Sequence, residues 1–380
     1  MNIAFLRKKY SFHGGAEKYL HGLATHMARN GHQVHVYAAA WDAADPDGLI
    51  QVHRVPCWTF NSFVRDLSFA LGAKRALRGA SHDIVQSHAK TFAQDVYRAG
   101  DGCHVEWLRQ RWRRAGWLTR LRTVINPHNW LNVWLERRIL RGRRYVRVMA
   151  ISEFVKRNLM DAYGVPAADI DVVYNGVDVE AFHPRNRASK GAEVRARYRI
   201  GQDERVALFV GSGFERKGVQ PLLQAVARVR GPLTVLVVGR GKAVVPADMP
   251  GDKSIVFCGP QPDVTGYYAA ADVFVFPTMY EPFGNVHLEA LASGVPVVTT
   301  RLGGGAELVE EGVSGCVVDA PEDVDGIARG VELLLAPAGR EAKRAAARAV
   351  GERYSFERHI RDATAVYERV LAQKAAVGAR

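Results

Sequence analysis

Short apolar runs alternate with amphipathic stretches along most of the chain, and each change of period predicts a change of element. Residues 2–6 read as a strand, and 7–18 as a loop entering a helix that runs to about Asn30 with Leu20, Leu23, Ala24 and Met27 on one face. Gly31 closes that helix, and Val34 to Ala38 is the second strand. Strands follow at 50–55 and 83–88, with a helix over 69–78 between them. Basic helices over 105–142 come next, then a strand at 145–151 and a helix opened by Ser152, whose hydroxyl suits an N-cap. A strand from Asp171 breaks at Asn175-Gly176, and the polar, charged run 179–203 reads as a linker. Strands at 205–210, 233–238, 254–258, 273–276 and 295–299, a short one at Val317-Val318, and helices at 218–229, 264–271, 286–293, 322–335 and 339–353 make up the second half. This alternation predicts an α/β fold with two Rossmann-like, doubly wound domains, over 1–180 and 204–355, and a last helix within 356–380.

Composition agrees. At 380 residues, two domains of ordinary size each bury a core, and 48% apolar with 24% charged residues marks a soluble globular chain. No run is apolar over the length that spans a bilayer, and residues 1–7 are too short an apolar stretch for a signal sequence, so the expected location is cytoplasmic. Cys57, Cys103, Cys258 and Cys316 form no Cys-x-x-Cys pair, which favours isolated buried thiols over disulfides or zinc.

The net charge of +13 is concentrated. Twelve arginines lie between Arg109 and Arg147, interleaved with Trp112, Trp117, Trp130 and Trp134, and only Glu136 opposes them. Cations mixed with indole rings suit an anionic membrane surface at the inner face of the cytoplasmic membrane; the bland alternative is a solvated basic face. Nucleic acid is not the expected partner, because neither a recognition helix nor an aromatic RNA motif accompanies the arginines.

The densest chemistry lies at Tyr280-Glu281-Pro282-Phe283-Gly284-Asn285-Val286-His287-Leu288-Glu289. A loop with proline and glycine opens a helix here, so the N–H groups of Gly284, Asn285 and Val286 can face an anion. Glu281 and Glu289 flank that helix start, a place where acids also merely suit the dipole. Upstream, a strand from Val206 runs into Gly211-Ser212-Gly213-Phe214-Glu215-Arg216-Lys217-Gly218, a glycine-bearing loop with two adjacent cations. Gly303-Gly304-Gly305 reads as a further turn with exposed amides. In the first half Gly14-Gly15 makes a strand-to-helix turn ahead of Glu17, without the spacing of a dinucleotide fingerprint. His88 ends a strand on the side where parallel sheets bind ligands, though a lone histidine there also serves structure, and Asp101 sits between two glycines. Asp45-Pro46-Asp47 has metal-ligand spacing but sits in a turn away from any phosphate-binding element, so no metal is expected.

These motifs, with the Glu281/Glu289 spacing foremost, resemble the retaining, nucleotide-sugar-dependent glycosyltransferases of two-domain GT-B architecture. More narrowly, the chain resembles the family 4 glucosyltransferases that act on heptose of the lipopolysaccharide core. The resemblance implies a UDP-sugar donor, no other cofactor, a lipid-linked saccharide acceptor, and a C-terminal helix crossing back to the first domain. It implies Glu281 on the sugar hydroxyls, Glu289 on the ribose, and Arg216 and Lys217 on the diphosphate. Gly14, Gly15, Ser212, Phe283, Gly284, Asn285 and Val286 complete the donor set. Glu17, His88 and Asp101 belong to the acceptor side, with Asp101 near the reacting centre or else an ordinary turn residue.

Overall fold

The computed structural model describes residues 1–10, 15–41 and 48–378 of the protein, with the side chains of 15–18 and of 377–378 left aside. The chain divides into two compact units, Met1–Val173 with Ile360–Arg380, and Tyr174–His359.

The first unit contains β1 (Asn2–Tyr10), α1 (Gly15–Arg29), β2 (Gln33–Trp41), β3 (Ile50–Arg54), α2 (Ser62–Ala76), β4 (Ile84–Ser87) and β5 (Val96–Ala99). It continues with α3 (His104–Arg114), α4 (Trp117–Ile125), α5 (Pro127–Leu140), β6 (Arg147–Ala150), α6 (Glu153–Tyr163) and β7 (Ile170–Val172). Among the described residues its strands form one parallel seven-stranded sheet in the order β3-β2-β1-β4-β5-β6-β7. The order reverses beside β1, the switch point that places ligands at the carboxyl ends of β1 and β4.

The second unit opens with a 3-10 turn at Pro184–Ala188 and α7 (Lys190–Arg197). Then come β8 (Val206–Val210), α8 (Phe214–Lys217), α9 (Val219–Arg228), β9 (Leu233–Val238), β10 (Lys253–Gly259), α10 (Thr265–Ala270), β11 (Val273–Phe276), α11 (Asn285–Ala292) and β12 (Val297–Thr300). A 3-10 turn at Gly304–Leu308, β13 (Gly315–Val318), α12 (Val324–Leu335) and α13 (Arg340–Arg353) complete it. Its six-stranded sheet runs β10-β9-β8-β11-β12-β13, with the same kind of reversal beside β8. Strands β8, β9, β11 and β12 are buried throughout, as strands covered on both faces must be. Finally α14 (Phe356–Gly378) carries the chain from the last residues of the second unit into the first. There Tyr367 donates to Gln86 at 2.8 Å, and Arg369 and Lys374 pair with Asp171 at 3.0 Å and Asp95 at 3.1 Å.

Several expectations need correction. β1 does not stop at Leu6: Arg7, Lys9 and Tyr10 stay in register with Ala38, Ala40 and Trp41 of β2. Its cations are tolerated because Lys8 reaches the buried Asp66 carboxylate at 3.0 Å. β5 was not anticipated, since four residues that include Arg98 carry little strand signal. Arg98 is nonetheless 5% exposed, its guanidinium 4.1 Å from the Tyr19 ring centroid.

The run 179–203 is not a linker. Arg187 and Arg195 tie it to Asp272 at 2.8 and 3.1 Å, and Arg195 also donates to the Gly201 and Ala270 carbonyls. Gly303, Gly304 and Gly305 are buried rather than exposed, and Glu281 pairs with Gly303 in an isolated parallel bridge. None of the four cysteines is in a disulfide; Cys103 and Cys316 are buried and Cys57 and Cys258 partly so.

The basic segment is three helices, and Glu136 does not oppose their charge. Its carboxylate is fully buried, accepting the His104 N–H at 3.0 and 3.1 Å and the Tyr163 hydroxyl at 2.5 Å, with Lys90 at 3.2 Å. Arg147 also leaves the surface set by pairing with Asp171 at 2.7 Å.

Candidate active site

At the carboxyl end of β8, Gly213 at φ 84° and Gly218 at φ 82° bracket α8. A Cβ at Gly218 would stand 1.9 Å from the Pro277 carbonyl oxygen, so only glycine lets this turn lie against the end of β11. The close approach brings Arg216 to the loop before α11. Its Nη1 donates to the Tyr280 carbonyl at 2.9 Å and to Glu281 Oε2 at 3.0 Å, and its own carbonyl accepts the Met279 N–H at 3.0 Å. Lys217 Nζ lies 3.8 Å from the same Glu281 oxygen and 5.3 Å from the Phe276 ring centroid.

Burial holds Lys217 below the usual lysine range, and Arg216 pushes the same way while Glu281 opposes. Glu281 is fixed from the other side too: its N–H donates to the Leu302 carbonyl at 3.2 Å, and its carbonyl accepts from Gly304 at 3.0 Å. The two expected cations and the first expected carboxylate therefore form one cluster.

Glu289 lies one turn into α11 and accepts the Tyr268 hydroxyl at 2.8 Å. Burial, reinforced by that carboxylate, pushes the Tyr268 hydroxyl far above its usual range, so it remains a donor. Gly284 at φ 77° turns the loop into α11, and Asn175 donates to the Asn285 side chain at 2.7 Å. The N-terminal amides of α11, including Asn285 and Val286, thus open beside two acids and two cations. That combination suits a ligand with both a phosphate and hydroxyl groups.

Other expected residues fall elsewhere. Phe283 is 1% exposed and packs against Tyr174 with ring centroids 5.9 Å apart, which leaves its backbone alone for any ligand. Ser212 is exposed and accepts the Arg240 N–H at 3.2 Å, touching neither cation. His88, expected on the acceptor side, is a core residue. It is 5% exposed, its Nε2 lies 2.7 Å from the Gln86 amide nitrogen, and its ring packs on Phe5 and Tyr19. Asp101 is exposed in the turn after β5, at the carboxyl edge of the sheet. Gly15 begins α1; Gly14, the Glu17 side chain and Asp45-Pro46-Asp47 lie outside what is described. Tyr268, Asn175 and Thr278 were missed. Thr278, in the loop after β11, donates to the Arg216 carbonyl at 3.1 Å, and nothing in its sequence setting marks it out.

Comparison with known proteins agrees with this geometry. Residues 13–181 match the family model Glycosyltransferase Family 4, and residues 204–337 match Glycosyl transferases group 1. The D-inositol 3-phosphate glycosyltransferase of Mycobacterium bovis is 29% identical, covering 95% of this chain and 80% of that protein. The crystal structure of WaaG, a glycosyltransferase involved in lipopolysaccharide biosynthesis, superposes with a TM-score of 0.79 at 23% identity, over 96% of this chain and 99% of that one. Anabaena Alr3699/HepE in complex with UDP-glucose gives 0.70 at 19% identity, over 99% and 100%. Two matched family models and two doubly wound parallel sheets place the chain among the glycosyltransferases of GT-B type.

Proposed function

We propose that the chain transfers glucose from UDP-glucose to a heptose of a lipopolysaccharide inner core, with retention at the anomeric carbon and no metal ion. The observation that carries the donor assignment is the Arg216–Lys217–Glu281 cluster at the opening of α11. Support comes from Anabaena HepE, solved with UDP-glucose, and for the acceptor from the role named for WaaG. In this reading the diphosphate displaces Glu281 from Arg216 and lies across Arg216, Lys217 and the α11 amides. The freed Glu281 carboxylate turns to the sugar hydroxyls, and Glu289 holds the ribose.

As the bond between anomeric carbon and phosphate oxygen breaks, negative charge grows on the diphosphate. Two fixed cations and a helix N-terminus stabilise that charge most where it develops. The acceptor oxygen forms its new bond on the same face, and its proton passes to the departing phosphate oxygen. Asp101 orients the acceptor hydroxyl.

The membrane is met through α3–α5. Trp117 is 72% exposed and Trp130 64%, with Leu118, Leu121, Val124 and Ile125 exposed beside Arg113, Arg122, Arg137 and Arg138. Among the described residues no helix is long and apolar enough to cross a membrane. A second reading keeps the donor site and changes the acceptor to another phosphorylated polyol or glycolipid. The mycobacterial relative is named for an inositol phosphate, and a basic surface suits one equally.

The test is UDP release from UDP-glucose in chelator, by wild type and Glu281→Ala, with heptose-containing core lipid present and then omitted. Acceptor-dependent release that the variant loses is the expected result. Absence of release with every common sugar nucleotide, without stabilisation by UDP, would defeat the enzyme reading. Release only with another acceptor would keep the donor site and discard the lipopolysaccharide assignment.

A further inference from the structure

His287 lies on α11 between the two glutamates, fully buried beneath the loop that opens the helix. Its Nδ1 is 2.8 Å from the Gly284 carbonyl oxygen, which also accepts the His287 main-chain N–H at 3.0 Å. A carbonyl only accepts, so Nδ1 carries a hydrogen. On the far side, Nε2 is 2.9 Å from the Thr299 hydroxyl. That hydroxyl donates to the Phe276 carbonyl at 3.0 Å, which also accepts the Thr278 N–H at 2.9 Å. The hydrogen that the network fixes is therefore the one on Nδ1, and a neutral imidazole can supply it. Burial favours the same form and holds the ring's pKa down to about 4.

The surroundings are shaped to the ring. A Cβ at Gly305 would stand 2.3 Å from Nδ1, and one at Gly284 2.9 Å, so the glycines on both sides make room for it. The ring ties together the loop before α11, the strand β12 and the 3-10 turn after it.

The consequence is a direction. The peptide joining Gly284 to Asn285 is planar and trans, so its N–H points opposite to its carbonyl. With the carbonyl held on His287 by two hydrogen bonds, the Asn285 N–H turns away from the ring at the first position of α11. N–H groups at that position have no intrahelical acceptor.

We propose that His287 is the positioning residue of the donor site, fixing through the Gly284 carbonyl the direction in which the Asn285 N–H meets the leaving diphosphate. This rests on the reading of the site as a nucleotide-sugar pocket. Because charge on the diphosphate grows as the glycosidic bond breaks, a misdirected donor costs turnover more than ground-state affinity.

The test compares His287→Leu, which fills the space with no hydrogen to give, and His287→Asn, which restores an N–H near Nδ1. For UDP release from UDP-glucose, the Leu variant should lose about 10- to 100-fold in kcat with KM within about threefold, and Asn should recover most of the loss. In the ligand-free protein, amide exchange across 281–289 should accelerate in the Leu variant and not in Asn. A folded Leu variant with wild-type kcat, or unchanged exchange, overturns the proposal, as does a folded Asn variant no better than Leu. If Leu fails to fold, Asn decides: near-wild-type kcat and exchange support the tether, and a folded Asn variant that lacks either overturns it. If wild type itself releases UDP from no sugar nucleotide, the donor reading fails while the exchange comparison still decides whether His287 holds the loop.

Discussion

Arginine plays opposite parts in the two units. In the second, arginines converge on acids: Arg187, Arg195 and Arg344 surround the 7%-exposed Asp272 at 2.8, 3.1 and 3.7 Å, and Arg216 closes on Glu281 at 3.0 Å. In the first, α3–α5 spread Arg113, Arg122, Arg137 and Arg138 over an exposed surface, and Glu136, next to Arg137 in sequence, has withdrawn into the core. A cation with a carboxylate in reach locks a backbone or waits for a ligand to displace its partner. One without such a partner is left to solvent or to an external anion. Sequence counts of charge do not separate these cases, because pairing is a property of the fold.

That contrast can be broken from its buried side first. Asp272→Asn removes the charge that Arg195 and Arg187 share and weakens an acceptor for the Val206 N–H, 3.0 Å away. The expected loss is about 3–5 kcal/mol of stability, read as a lower urea midpoint, because cations are left buried without a partner. Glu281→Ala comes next, with UDP-glucose turnover falling roughly 100-fold or more while the fold persists, as for the loss of one preorganised contact to the reacting group.

Acid should act through buried neutral imidazoles. His287 and His104 are both held down to about 4, chiefly by burial, while their unfolded values lie near the ordinary 6.5. Below about pH 6.5 the unfolded chain binds the extra protons, so stability is complete above that pH and is lost as pH falls toward 4. Urea midpoints at pH 7.5 and 5 should show the fall, and His287→Leu should flatten it. The smallest effect belongs to the exposed side. Trp117→Ser with Leu121→Ser should weaken binding to anionic vesicles by about tenfold and leave UDP binding untouched, with added salt weakening wild type as well.

Much of this was legible in the chain. The alternation of strand and helix gives both sheets, and Glu281, Arg216 and Lys217 could be grouped because each sits in a short glycine-bearing turn at the end of a strand. What could not be read was long-range pairing. Lys8 looks like a loop residue until Asp66, distant in sequence, is beside it, and the polar run at 179–203 looks like a linker until Asp272 receives its arginines. His88 and Phe283 stand at positions that suggest a ligand, yet their rings fill the cores of their units. His287 lies inside the clearest motif of the chain, but an apolar residue would serve the helix face as well. Only the carbonyl above it reveals a task.

The most direct measurement is calorimetric titration of wild type, Glu281→Gln and Arg216→Ala with UDP-glucose and, separately, UDP. If Glu281 holds the sugar and Arg216 the diphosphate, Glu281→Gln will bind UDP at least as tightly as wild type, since its cation is freed, but lose the added affinity for UDP-glucose. Arg216→Ala will weaken both ligands. Wild-type protein that binds neither ligand, or a Glu281→Gln variant that keeps the full preference for UDP-glucose, would contradict the account.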